Sequence, residues 1–130
     1  MAGVVFKSGV LPIGVLAKSG ARILAELDAI ARKFSHDIVI TCADKEHAAG
    51  DPHTLGEAFD IRTHEWPDEH VTEVMLSLIN QLGGTGDLPR PVSSVAIPNF
   101  ATTHFYVQYE NAGQPNAHLH VQRRNGTVYA

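Results

Sequence analysis

Cysteine is almost missing from this chain. Cys42 stands alone, which excludes an intramolecular disulfide and gives no sign of an oxidising compartment. A basic stripe is missing too. Ten Lys and Arg stand against fourteen Asp and Glu, for a formal charge of -4, and the Arg123–Arg124 pair is too short to form a patch. Nucleic acid is therefore not an expected partner. No run approaches the roughly 18 apolar residues of a membrane span, so a soluble chain without a membrane partner is expected. Residues Met1 to Leu16 are apolar in part, but Lys7, Ser8, Gly9 and Pro12 break the run and no basic n-region precedes it. They read as an ordered leading segment rather than a signal peptide. Internal repeats and low-complexity tracts do not stand out.

What remains is ordinary in bulk. The chain has 130 residues, 44% of them apolar and 18% charged. That composition fits one globular domain over residues 1–130, large enough to bury a core without staples. The unusual number is histidine: there are eight, at 36, 47, 53, 64, 70, 104, 118 and 120. Histidine is the commonest metal ligand and the usual general acid or base.

Ile23, Leu24, Leu27, Ile30 and Ala31 recur at helical spacing after Ser19 or Gly20, which predicts a helix ending near Phe34. Asp37 to Cys42 is a short β-branched run and reads as a buried strand. Residues 43–56 read as loop. Glu57 to Arg62 reads as a strand, with Phe59 and Ile61 on one face and Ala58, Asp60 and Arg62 on the other. Pro67 opens a second helix with a stripe of Val71, Val74, Met75, Leu78 and Leu82, stopped by Gly83 and Gly84. Residues 83–102 read as loop. Thr103 to Tyr109 and Ala117 to Gln122 alternate as partner strands joined by a loop over 111–116. The second of these puts His118, His120 and Gln122 on one face. Short links between neighbouring strands predict an α+β fold, a small antiparallel sheet with helices packed on it.

Two constellations carry chemistry. His53 and Asp60 flank Gly56, which permits a tight turn, and Ala58, whose small side chain leaves room on the face of Asp60. An imidazole nitrogen and a carboxylate oxygen both suit zinc. His and Asp at this spacing arise by chance ~0.4 times in a chain of this composition; requiring the Gly and the Ala as well lowers that to ~0.004. His118 and His120 share one face of a strand, close enough for one to hold a metal while its neighbour works beside it.

The segment His53-Thr-Leu-Gly56-Glu-Ala58-Phe-Asp60-Ile61 resembles the His-x-x-Gly-x-Ala-x-Asp signature of D-alanyl-D-alanine carboxypeptidases and related phage endolysin peptidases. The Asn-Ala-His118-Leu-His120-Val segment resembles the His-x-His strand of the wider lysostaphin, D-Ala-D-Ala peptidase and hedgehog group. Val39 to Cys42 before the first motif and Glu110 before the last strand fit the same order. The resemblance implies a hedgehog or D-Ala-D-Ala peptidase-like fold and a zinc peptidase cleaving peptidoglycan peptides, as an endopeptidase or a carboxypeptidase. It implies zinc ligation by His53, Asp60 and His120, or by His118 in an alternative register. It implies His118 or Glu110 as the base and Lys45 as stabiliser of an oxyanion or of a substrate carboxylate. Tyr106, on the face of its strand opposite Phe105 and Val107, reads as a packing residue or as a substrate-binding one that faces the site. Glu110 precedes His118 by eight residues, a longer gap than the Glu-x-x-His of many relatives. Two positions depart from the pattern: Asp51 stands where relatives have Ser, and Lys45 where they have Arg. A degenerate relative serving as a virion or binding component is the alternative those departures support. A phage-type origin implies synthesis in the cytoplasm and release to the wall by a separate route.

Overall fold

The computed structural model describes residues 2–7, 17–42, 57–84, 87–92 and 99–124. His53, Lys45, Asp51 and the first loop lie outside these. The elements run β1 (Val4–Phe6), α1 (Lys18–Phe34), β2 (Ile38–Cys42), β3 (Ala58–Arg62), α2 (Asp68–Gln81), β4 (Asn99–Ala101), β5 (Phe105–Glu110) and β6 (His118–Arg123).

Both helices follow the periodicity of their sequences. Ile23, Leu27, Ile30 and Ala31 of α1 are buried, as are Val71, Val74, Met75 and Leu78 of α2. Each ends in the same way. At α1, Ser35 takes a left-handed conformation (φ 52°) while its N–H donates to the Arg32 carbonyl and that of His36 to the Ala31 carbonyl. At α2, Gly83 (φ 91°) plays the part of Ser35, with Gly83 N–H donating to Asn80 and Gly84 N–H to Ile79 at 2.8 Å. These paired bonds satisfy carbonyls that a helix end otherwise leaves open. Arg22 of α1 also donates to the Gln81 carbonyl at 2.5 Å, which ties the two helices together.

The six strands form one sheet in the order β1-β2-β3-β6-β5-β4. The sheet is mixed rather than wholly antiparallel, because β1 pairs with β2 in parallel. The leading segment thus supplies a strand, and β1-α1-β2 is a crossover unit. β4 is a second strand not anticipated from sequence; it lies inside the region read as loop and pairs with β5 through Asn99↔Gln108 and Ala101↔Tyr106. Both are three residues long. So short a run shows no alternation, and only its distant partner fixes it as a strand.

One face of the sheet packs on the helices. Ile38, Ile40, Phe59, Ile61, Phe105, Val107, Leu119 and Val121 join the helical stripes in one apolar cluster. Burying each such side chain contributes about 1.5–3 kcal/mol. Because side chains alternate, the same strands project Asp60 and Arg62, His118, His120 and Gln122, and Tyr106, Gln108 and Glu110 from the other face. The core fixes the register, and the register fixes the site. Among the described residues, no helix is long and apolar enough to cross a membrane.

Candidate metal centre

The three strands at the middle of the sheet bring the polar groups together. Asp60 lies directly opposite His120 across β3 and β6. Glu110 lies opposite His118 across β5 and β6. The turn over 111–116, with left-handed backbone at Asn111 and Gly113, returns the chain in that register. Four of the residues singled out from sequence, Asp60, Glu110, His118 and His120, therefore form one group. Of the seven singled out, Lys45 and His53 lie outside the described residues, and Tyr106 packs its ring on His120 with centroids 5.7 Å apart and so supports a site residue directly.

His120 is the buried member, 9% exposed. Its Nδ1 lies 2.7 Å from Asp60 Oδ1 and its Nε2 lies 2.7 Å from Gln122 Oε1. Gln122 Nε2 donates to the Arg123 carbonyl at 2.9 Å, which leaves the amide oxygen facing the ring. Both neighbours of the imidazole are thus acceptors, and each ring nitrogen is placed to donate when it carries a proton. The electrostatics agree. Burial alone pulls its pKa down, but hydrogen bonds to Asp60 and Gln122 and the charges of Asp60 and Glu110 outweigh burial and hold it above the ordinary histidine value.

His118 is oriented differently. Its Nδ1 donates to the Asn116 carbonyl at 2.9 Å, so Nε2 is the nitrogen presented to the site. Nε2 lies 3.2 Å from Glu110 Oε1 and 4.0 Å from Asp60 Oδ1. His118 Nε2 and the carboxylates of Asp60 and Glu110 thus face one another.

The spacing of these donors is one that could hold a metal ion. Zinc holds nitrogen and oxygen donors at about 2.0–2.2 Å in a tetrahedron, which sets donor atoms about 3.4 Å apart. Donor atoms of Asp60, Glu110 and His118 all lie within 4.8 Å of one another. The individual gaps of 2.7 Å (His120–Asp60), 3.2 Å (His118–Glu110) and 3.9 Å (His120–Glu110) bracket the tetrahedral value. A backbone carbonyl on the remote nitrogen of His118, and an amide oxygen on that of His120, are the outer contacts that metal-binding histidines ordinarily make.

Gln122 was legible as lying on the histidine face of its strand, yet nothing in the sequence marked it as a partner of His120. Arg62 was likewise placed on the face of Asp60 without a role. Comparison with known protein families, with curated proteins and with solved structures returns no match to this chain.

Proposed function

We propose that this chain is a zinc-dependent peptidase of the hedgehog and D-Ala-D-Ala peptidase type, acting on peptide bonds of peptidoglycan. The observation that supports the metal half is the convergence of Asp60, Glu110, His118 and His120 on the open face of the sheet. The substrate half rests on the resemblance of residues 53–61 and 118–120 to that group. Asp60 and His120 would hold zinc, with His53 as the third protein ligand; three protein ligands is the number of catalytic rather than structural zinc. When bound, zinc lowers the pKa of a coordinated water and polarises the scissile carbonyl.

The chain's own groups handle the proton. His118 Nε2, steadied by Asn116 and paired with Glu110, is placed to accept a proton from water and return it to the leaving amine. Glu110 stabilises the imidazolium formed at that moment. Tyr106 keeps His120 in place from one side and Gln122 from another. Lys45 stabilises the oxyanion. The protein reaches its wall substrate by a phage-type release route.

A second ligand set has its own support: Asp60, Glu110 and His118 alone satisfy the donor spacing. In that set His118 is a ligand and His120 only orients Asp60. Zinc content of His118→Ala and His120→Ala separates the two, since only the true ligand's variant loses the metal.

The function is tested by incubating zinc-loaded protein with purified peptidoglycan and reading new amino termini by mass spectrometry. Defined cleavage that stops with a chelator and with His118→Ala is the expected result. Zinc bound tightly with no bond cut in any wall preparation contradicts the proposal and supports a binding component instead.

A further inference from the structure

Two histidines outside the metal centre meet where α1 ends and α2 begins. His36 follows the left-handed cap of α1, fixed by its N–H on the Ala31 carbonyl at 3.0 Å. His70 lies in the first turn of α2, its N–H donating to the Pro67 carbonyl at 2.9 Å. Trp66 is set by a bond from its N–H to the Thr63 carbonyl at 2.9 Å. Its ring packs edge-on against both imidazoles, with centroids 5.6 Å from His36 and 4.5 Å from His70. Phe34 adds an edge contact to His70 at 5.5 Å. Backbone bonds and the indole thus hold the two rings together, and neither contacts Asp60, Glu110, His118 or His120.

The His36 and His70 ring centres are 5.1 Å apart and their planes are inclined by 55°, which excludes a parallel stack. An ion held by an imidazole nitrogen at about 2.0–2.1 Å sits roughly 3.2 Å from the ring centre, so two imidazoles sharing one ion have centres about 4.5–5.2 Å apart for angles between a right angle and a tetrahedral one. The observed separation falls inside that range. The nitrogens are available as well. His36 is exposed, and its Nδ1 donates to the Asp37 carbonyl at 3.0 Å, which leaves the lone pair of the neutral ring on Nε2. That contact on the remote nitrogen is one that metal-binding histidines ordinarily make. His70 forms no hydrogen bond with any described residue, and neither of its nitrogens is sealed from solvent. Burial first, and then the charge of His36, lowers its pKa, which keeps its ring neutral and able to ligate at pH 7. Charged neighbours are engaged elsewhere. Lys33 lies over Phe34 and donates to Ser77, Asp37 accepts from the Gly3 N–H, and Glu69 and Glu73 face Arg90.

We propose that His36 and His70 form a second metal site, a two-histidine clip for a late first-row divalent ion that joins the end of α1 to the start of α2. Imidazole nitrogens suit Cu(II), Ni(II) and Zn(II), and Cu(II) binds such donors most tightly. Water fills the remaining positions, so the clip is weaker than a site with three or four protein ligands. It stands whether or not the sheet group holds zinc or cuts peptides.

Trp66 is the single tryptophan of the chain and touches both histidines, so its emission reports the site. Bound Cu(II) quenches a neighbouring indole. Cu(II) is titrated at pH 7, in a buffer that does not bind it, into wild type, His36→Gln, His70→Gln and His118→Gln. Wild type and His118→Gln are expected to show the same saturable quenching at about one Cu(II) per clip. Each of the other two variants is expected to need at least about tenfold more Cu(II), because a chelate loses its second attachment when either ligand is removed. His36 is exposed, so His36→Gln keeps the fold and decides the matter even if His70→Gln loosens the packing around Trp66. No saturable quenching in wild type, or quenching of His36→Gln at the wild-type concentration, overturns the proposal. Quenching lost in His118→Gln and kept in His36→Gln assigns the copper to the sheet group and overturns it equally.

Discussion

Gln122→Leu separates the structural and metal-binding parts of the site. Gln122 is 4% exposed and makes two hydrogen bonds, accepting from His120 Nε2 at 2.7 Å and donating to the Arg123 carbonyl at 2.9 Å. Leucine fills the same space but leaves one buried ring N–H and one carbonyl without those partners. An unmet buried donor costs about 1–3 kcal/mol, and the gain in apolar burial offsets part of it. A net loss of about 2 kcal/mol lowers Tm by roughly 6–10 °C in a chain of this size. Metal-free protein in chelator isolates that cost. Zinc affinity, measured by competition with a chromophoric chelator, adds the second reading. Loss of an outer contact to a ligating histidine typically weakens metal binding about 10–100-fold. Gln122→Glu keeps an acceptor toward His120 and is expected to recover most of that affinity. If Gln122→Leu lowers stability while zinc affinity stays at the wild-type value, His120 is not a ligand and the reasoning fails.

Three further outcomes follow from the geometry. His70 packs edge-on against Trp66 and Phe34 and beside His36; burial first, and then the charge of His36, lowers its pKa below the ordinary value. A lowered folded-state value means that its stabilising contribution is complete above pH ~6.5 and is lost as pH falls through the folded-state pKa. His70→Phe is therefore expected to flatten the acid side of the denaturant-midpoint profile, and an unchanged acid slope would rule the account out. Gly84→Ala puts a Cβ 2.8 Å from side-chain carbons of Ile79 and Thr102, so overpacking of about 1–3 kcal/mol is expected in urea unfolding; a neutral result would show that α2 and the strand end can separate cheaply. His118→Ala is expected to keep zinc but lower turnover of wall peptide about 10²–10⁴-fold, as loss of a general base does, and loss of zinc in its place would move the metal to the alternative register.

The sequence carried the central strands and both helices because each is long enough for a period to show. Phe59 and Ile61 against Asp60, and Leu119 and Val121 against His118 and His120, state both the buried face and the polar one. That alternation puts Asp60, His118 and His120 on the polar face, because burial of the apolar set fixes where the polar set must point; Glu110, one residue past the strand read over Thr103 to Tyr109, was singled out by the resemblance alone. β1 and β4 stayed hidden because three residues carry no period and their pairing depends on remote partners. The parallel β1–β2 pair in turn makes the sheet mixed. Gln122 and Arg62 were assigned faces but not partners: Gln122 meets His120 along their own strand through its side-chain conformation, and Arg62 is set opposite His118 by the β3–β6 register.

The most direct test of the central claim is zinc content by elemental analysis of wild type, Asp60→Ala, His53→Ala and His120→Ala, each purified with zinc supplied and then dialysed. About one zinc per chain in wild type, lost in all three variants, is the result expected for a three-ligand site. A wild type without zinc, or Asp60→Ala that keeps it, would contradict the account.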